Sequence, residues 1–394
     1  MRNLQLSAYS LSSCLGHGID QHRDALVAER GGLRSCDFDE IDLETWVGRV
    51  DGVENNPIPA RFRDYECRNN RLAYMALNGD GFADQVNRAK SRYGATRIGI
   101  FIGTSTSGIQ EAELAYQHRD PVSRNLPQDF RYNTTHTMFS VGDFSRRILG
   151  LEGPAQVVST ACSSSAKVFA VAHRFMSAGY CDAAVVGGVD SLCQMTIYGF
   201  NSLQLVSQQR CRPCDTDRNG LNIGEAAGFA LLEWDNEKAG VCLLGFGESS
   251  DAYHMSAPHP EGAGAARAIR AALDCAGLKP TDIDYINLHG TGTQANDLAE
   301  DKAVHSIFHG RVPCSSTKGF TGHALGAAGI VEALFSYLAA KHGVAYRSLN
   351  TVNVDEKIRS PILVETRRTT LTRVMSNSFG FGGDNVCLIF GSPS

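Results

Sequence analysis

The chain predicts an α/β fold whose strands are covered by helices on both faces, built as two related halves. Three observations carry this. Short apolar runs of strand length recur along the chain with helical patterns between them. Two segments, STACSSSAKVFAVAH near 159–173 and STKGFTGHALGAAGIVEALF near 316–335, repeat one plan in which a strand and a small-residue turn open a buried helix. No Pro/Ser-rich linker divides the 394 residues into independent domains.

The strand-like runs are RIGIFIG (97–103), AQVVS (155–159), DAAVVGG (182–188), GFALLEW (228–234), YINLHG (285–290) and NVCLIFG (385–391). Residues 164–178 place Val168, Phe169, Val171, Ala172, Phe175 and Met176 on a broad apolar face, and Gly179 suits the stop. Residues 264–276 form a second Ala-rich helix ended by Gly277. Residues 326–340 form a third that is almost wholly apolar, so it is expected to be buried. The halves divide at 1–240, which holds Cys162, and 241–394, which holds His289 and His323, with AAVVGG and VCLIFG as matching central strands. Segments 104–142 and 190–225 are less regular and read as insertions that roof a pocket or contact another subunit.

Composition excludes several classes. An apolar fraction of 43% supports a large core, and 20% charged residues argue against a long disordered tail. A net charge of −5 carries no nucleic-acid signature, though local basic clusters can still meet an acidic partner. The opening MRNLQLSAYSLSSCLGHG does not read as a secretion signal. No apolar stretch reaches the roughly 18 residues of a membrane span. Twelve irregularly spaced cysteines read as reduced cytosolic thiols that act as small core hydrophobes. The one C-x-x-C, Cys211 to Cys214, lacks the second ligand pair that zinc would want.

Three loops carry the chemistry: VVSTACSSSA at 157–166, LHGTGT at 288–293 and SSTKGFTGHALGAAG at 315–329. Cys162 stands before a helix N-terminus, where unpaired N–H groups and the dipole favour thiolate. His289 ends an apolar run and enters a Gly-Thr-Gly-Thr turn, where Thr291 and Thr293 offer hydroxyls. His323 also stands at a helix start, which favours neutral imidazole. Neutral histidines that donate N–H bonds can stabilise a developing enolate oxygen. One thiol and two imidazoles at such turns suit carbon–sulfur and carbon–carbon chemistry on thioesters. Glu332 is an anomaly on an apolar helix and needs a partner, for which Lys318 is the candidate. In SNSFGFGGDN (376–385), Phe379 and Phe381 flank a glycine turn that could present a backbone N–H and an aromatic gate to the same pocket.

These loops, together with RPCDTDRNGLNIGEAAG and LHGTGTQANDLAE, resemble the β-ketoacyl-acyl-carrier-protein synthases of the thiolase superfamily, nearest the elongating classes I and II. The resemblance runs from about residue 95 to 391. It implies a thiolase-like, five-layered αβαβα fold of two pseudo-duplicated halves, usually dimeric. It also implies a ping-pong reaction. Cys162 takes an acyl chain from the phosphopantetheine of an acyl carrier protein, and His289 and His323 promote decarboxylation of the malonyl carrier. The carbanion then attacks the acyl-Cys162 thioester. By the same resemblance, the Cys162 and Phe381 N–H groups hold the oxyanion and Phe381 gates the site. Thr291 and Thr293 bond the pantetheine arm, and Lys318 and Glu332 support the site. Asn287, Glu332, Ser376 and Asn377 fall where some members hold a structural monovalent cation. No metal or redox cofactor is needed for the reaction.

An acidic carrier needs a local basic dock. Arg61, Arg63, Arg68 and Arg71 form one candidate group, and Arg124, Arg131, Arg210 and Arg212 another. Departures from the family concern substrate. The N-terminus lacks the usual apolar strand ending in Thr-Gly, Asp384 stands where the gating loop usually has Thr or Ser, and Thr106 and Ser107 occupy the acyl-pocket region. They point to a specialised pathway, such as a polyene or polyketide, rather than to housekeeping fatty-acid synthesis. The competing readings are a thiolase acting on coenzyme A esters and a non-catalytic chain-length partner subunit. A thiolase needs a second catalytic Cys near the C-terminus, which the loop at 380–383 lacks, and the intact Cys162, His289 and His323 speak against the partner subunit. The expected assembly is a homodimer, or a heterodimer with a chain-length-factor-like subunit, in the cytoplasm.

Overall fold

The computed structural model describes residues 1–39, 41–235 and 240–393. Among these residues, ten strands build one continuous sheet path. They are β1 (Leu4–Ser13), β2 (Ile98–Gly103), β3 (Ala155–Val158), β4 (Ala183–Asp190), β5 (Ala226–Trp234), β6 (Cys242–Ser250), β7 (Tyr285–Asn287), β8 (Cys314–Ser315), β9 (Arg373–Phe379) and β10 (Asp384–Gly391). Their order is β8-β7-β9-β10-β6-β1-β5-β4-β2-β3.

The path reads as the same five-strand unit twice. From β1 outward, β5 and then β4 pair antiparallel, and β2 and β3 follow in parallel. From β6 outward, β10 and then β9 pair antiparallel, and β7 and β8 follow in parallel. The units join where β1 meets β6, at Leu4↔Leu243 and Gln5↔Cys242. The change from one unit to the next falls between Trp234 and Cys242. By this order β4 matches β9, and β5 matches β10. The expected match of AAVVGG with VCLIFG is therefore displaced by one strand. Both runs are central and buried, so hydrophobicity alone does not separate them.

Two helices lie between the two units, α4 (Ser164–Ser177) and α7 (Ala328–His342), and they touch each other and strands of both. The outer face of the first unit carries α1 (Arg68–Asn78), α2 (Phe82–Tyr93) and α3 (Phe139–Leu149). That of the second carries α5 (Ala263–Ala276), against which α6 (Gln294–Phe308) packs. The result is the expected helix–sheet–helix–sheet–helix layering. Every residue of α7 from Ala328 to Ala339 is buried, as a helix apolar all round must be. Gly329 allows close approach to α4, since a Cβ there would lie 2.4 Å from the Ala166 nitrogen.

The N-terminus departs from expectation. LQLSAYSLSS forms a ten-residue strand in the middle of the sheet path although it is not uniformly apolar. Leu4 and Leu6 join one apolar cluster, a bulge at Ser7 then sends Ala8 into another, and Tyr9 packs edge-on against Tyr337 of α7, with centroids 5.1 Å apart.

Candidate active site

The reactive loops converge because each precedes or abuts a central helix. Each reactive residue adjoins a left-handed position that turns the chain sharply: Ala161 (φ +50°) before Cys162, Gly290 (φ +38°) after His289, and Gly322 (φ +71°) before His323. The backbone of His323 is fixed from both sides. Its N–H donates to the Asn222 carbonyl at 2.7 Å, and its carbonyl accepts from Gly224 at 2.9 Å. His323 Nε2 lies 2.9 Å from Cys162 Sγ. The His289 and His323 rings meet edge-on, with centroids 5.4 Å apart. All three side chains are buried, and one ligating atom from each lies within 4.8 Å of the others.

Behind His289 lies the Lys318–Glu332 pair expected from the sequence. The same ammonium donates to the His289 carbonyl and sits 3.4 Å from His289 Nδ1. Burial first, then Lys318 and His323, push the His289 pKa well below its usual value, so the ring is neutral. An ammonium has no lone pair to offer Nδ1. The imidazole proton therefore belongs on Nε2, the nitrogen away from Lys318. Burial and Lys318 likewise keep His323 neutral. Its Nδ1 has no hydrogen-bond partner among the described residues, so either tautomer is open to it. Burial raises Glu332 to about 7, although Lys318 acts in the opposite direction.

The thiol does not behave as its place before a helix suggested. Burial pushes Cys162 up to about 12, while Lys318 and the Phe381 N–H pull the other way. The first N–H groups of the turn are already used: Ser163 donates to Thr160 O at 3.3 Å and Ser164 to Ala161 O at 3.1 Å. The helix end therefore does not hold the sulfur as a thiolate. A base must take its proton as it reacts, and His323 Nε2 is in place to do so.

A small cavity of about 70 Å³ opens in front of the sulfur. Cys162, His289 and His323 line its floor, and Thr291, Thr293, Phe379 and Phe381 are among its walls. The two threonine hydroxyls lie 2.9 Å apart. Phe381 stacks on Phe200, with centroids 5.4 Å apart and planes at 23°, and both rings line the cavity. Phe200, Leu205 and Leu221, from the 190–225 segment, are among the residues that line it.

A model of the β-ketoacyl synthase N-terminal domain matches residues 66–238, and one of its C-terminal domain matches 241–352. The mitochondrial 3-oxoacyl-[acyl-carrier-protein] synthase of Arabidopsis thaliana is 38% identical, over 99% of this chain and 93% of its own. The 3-oxoacyl-[acyl-carrier-protein] synthase 2 of Staphylococcus aureus is 36% identical over 75% of each chain. Among solved structures, a ketosynthase in complex with its chain length factor from Xenorhabdus doucetiae matches at TM-score 0.89 and 38% identity, over 100% of this chain and 98% of that one. The chain belongs to the β-ketoacyl synthase family. It is an acyltransferase of that class.

Several expectations about the synthase meet a different environment. Thr106 and Ser107 do not line the cavity with Cys162. Thr106 Oγ1 donates to Asp190 at 2.8 Å, and Ser107 Oγ donates to the carbonyls of Thr135 and Thr137 at 3.1 and 2.8 Å. Arg68 does not belong to a docking surface. It is 6% exposed, its Nε donates to Glu225 at 2.8 Å, and its other nitrogens pair with Glu225 and Glu54. Arg71 pairs with Glu66 and donates to the Glu54 carbonyl. Arg61, Arg63, Arg124, Arg131 and Arg210 are exposed, and Arg212 is half-buried beside Gly292. Cys211 and Cys214 are buried, and the Cys211 thiol donates to the Lys318 carbonyl.

Asn287 Oδ1, Glu332 Oε2, Ser376 Oγ and Asn377 Oδ1 are buried oxygens without a partner among the described residues. Asn287 and Ser376 face each other across β7 and β9. Such an all-oxygen set fits a hard cation.

Sequence reasoning passed over Glu300. On α6 it accepts the backbone N–H groups of His289 and Gly290, both at 2.8 Å, and Nδ2 of Asn377 at 3.1 Å, and so fixes the His289 loop. The available signal was Asp297 and Glu300, spaced three apart on the helix that follows LHGTGT and therefore on one face. Asp190 was passed over as well. It gathers the Thr104, Ser105 and Thr106 hydroxyls and the Gly326 N–H at the start of the His323-side turn.

Proposed function

We propose that this synthase performs decarboxylative Claisen condensation on carrier-bound thioesters, with Cys162 as nucleophile. The observation that carries the reading is the 2.9 Å contact between Cys162 Sγ and His323 Nε2, with the His289 ring beside it. In the first half-reaction Cys162 sulfur attacks the acyl thioester carbon as His323 Nε2 takes the thiol proton. The tetrahedral oxyanion faces the Cys162 and Phe381 N–H groups. Collapse breaks the bond to the pantetheine sulfur, and that thiolate recovers the proton from His323.

In the second half-reaction malonyl thioester occupies the same cavity. His289 donates its Nε2–H to the thioester oxygen as CO2 leaves, and His323 supplies a second N–H in its alternative tautomer. The carbon nucleophile attacks the acyl-Cys162 carbonyl and expels the Cys162 sulfur as thiolate, which regains its proton through His323 Nε2, 2.9 Å away, with water as the proton source. The products are β-ketoacyl carrier, CO2 and free enzyme. Lys318 keeps the His289 proton on Nε2, and Glu332 balances the buried charge of Lys318. Thr291 and Thr293 hold the pantetheine arm, Phe379 shapes the wall, and Phe381 is the gate. A monovalent cation held by Asn287, Glu332, Ser376 and Asn377 would supply fixed positive charge beside Glu332.

The proposed partner is an acyl carrier protein, docked by exposed arginines among Arg61, Arg63, Arg124, Arg131, Arg210 and Arg212. Likeness to a ketosynthase solved with a chain length factor favours a second chain of the same fold, homologous or identical, beside this one. The division at residue 240 assigns the nucleophile to one half and both histidines to the other. No helix of the described residues is long and apolar enough to cross a membrane, and all twelve cysteines are free thiols. Both facts support a cytoplasmic setting. A thiolase reading would need Cys387 at the site, yet that thiol is buried in β10 within the apolar core of the second half.

The test is Cys162→Ala with acyl and malonyl carriers. This reading requires β-ketoacyl product to disappear. Product formed at the wild-type rate would assign the chain to a scaffolding role.

A further inference from the structure

The loop that lines the cavity is tied to the nucleophile's helix by an ion pair that the condensation chemistry leaves unused. Asp384 opens β10 directly after Gly382 (φ +84°) and Gly383 (φ +81°). Its carboxylate accepts from Lys167 Nζ at 2.7 and 2.9 Å, and from Ser163 Oγ at 3.3 Å. Ser163 immediately follows Cys162, and Lys167 stands in the first turn of α4. Lys167 also lies 3.6 Å from Glu248, which pairs with Arg174 further along α4. A string of alternating charges thus runs from the foot of the loop along the helix.

The loop's other attachments are mostly to backbone, with one side chain among them, Asn385, whose Nδ2 donates to the Gly383 carbonyl at 3.1 Å. Gly380 N–H donates to the Asp384 carbonyl at 2.8 Å, so the loop is closed upon its own base. Gly382 donates to the Met255 carbonyl at 2.7 Å, and Gly383 accepts from Asp251 at 2.7 Å. Gly380 rests on the turn that carries Cys162, since a Cβ there would lie 2.6 Å from the Thr160 carbonyl oxygen. The charged clamp on this base is the Asp384–Lys167 pair, with side chains 26% and 24% exposed.

We propose that Asp384 and Lys167 are positioning residues that latch the 380–383 loop shut over Cys162 and set how readily it opens to an acyl chain. With the latch closed, the Phe381 ring stacks on Phe200 and about 70 Å³ remains. That volume holds no acyl chain, so the ring must move aside before acylation. The energy of a partly exposed ion pair biases such a movement without forbidding it. The inference rests on Cys162 as nucleophile and Phe381 as gate.

Two rates test it. One is alkylation of Cys162 by iodoacetamide, followed by intact mass. The other is acylation by an acyl-pantetheine thioester, which needs no carrier docking. The proteins are wild type, Asp384→Asn, Lys167→Met, their double variant and the exchange Asp384→Lys with Lys167→Asp. The latch predicts that each single variant raises both rates roughly two- to fivefold. The double variant should be no faster than either single one, and the exchange should return toward wild type. Folded single variants with wild-type rates would overturn the latch, as would single effects that multiply in the double variant. If a single variant does not fold, salt on the wild type carries the test. Screening of this pair must then speed alkylation, and no response overturns the latch. If no protein is acylated while alkylation follows the predicted pattern, the latch stands and the role of Cys162 as acyl acceptor falls.

Discussion

At the scale of single residues, the site works by withholding charge. Cys162, His289 and His323 are all kept neutral by burial, and Lys318 adds to the effect on both rings. A neutral thiol beside a neutral imidazole makes acylation a coupled proton and acyl transfer. A neutral His289 with its proton on Nε2 can donate to a developing enolate but has no proton to lose at neutral pH. The two half-reactions should therefore separate genetically. On the proposed roles, His289→Ala removes a donor used only in decarboxylation and is expected to slow CO2 release about 10²- to 10³-fold. Acyl-Cys162 should still form. Stopped-flow CO2 detection alongside intact mass reads both. Equal loss of acylation and decarboxylation would contradict this division of roles.

Secondary structure elements explain how that geometry is held and why part of it was legible. The Cys162, His289 and His323 loops could be read because reactive side chains stood against glycines and small residues ahead of apolar helices. The central helices and most strands could be read from their apolar runs. β1 was harder, since an alternating strand of Leu, Ser, Ala and Tyr is less conspicuous than a buried run. Glu300 and Asp190 were harder still. Carboxylates usually mark solvent, and their N–H partners become visible only when the loops fold over them. The Arg68–Glu225 pair joins residues 157 positions apart, so composition offered Arg68 as a surface cation when it is a core strut. Glu300 gives the sharpest prediction at this scale. Glu300→Ala would leave the His289 and Gly290 N–H groups without an acceptor, at about 1–3 kcal/mol for each buried group. Denaturant unfolding should show a drop of that order, together with weaker decarboxylation. A variant as stable as wild type would contradict the role of α6 in fixing the loop.

Across the whole molecule, the duplication brings the chemistry to one place. Each half sends the turn after its outer parallel strand, β3 or β8, to the start of a central helix. Because α4 and α7 touch at Ala166 and Gly329, those two turns meet with the thiol on one and His323 on the other. His289 arrives from the end of β7, the neighbouring strand of the second half. The site therefore belongs to neither half alone. The central claim is that Cys162 carries the acyl group between two carrier-bound substrates. Intact-protein mass spectrometry after mixing with acyl carriers of saturated, polyunsaturated and aromatic chains tests it most directly. The expected result is an acyl mass gain that maps to Cys162 and is discharged when malonyl carrier is added. An adduct on another residue, or one that malonyl carrier leaves in place, would contradict it.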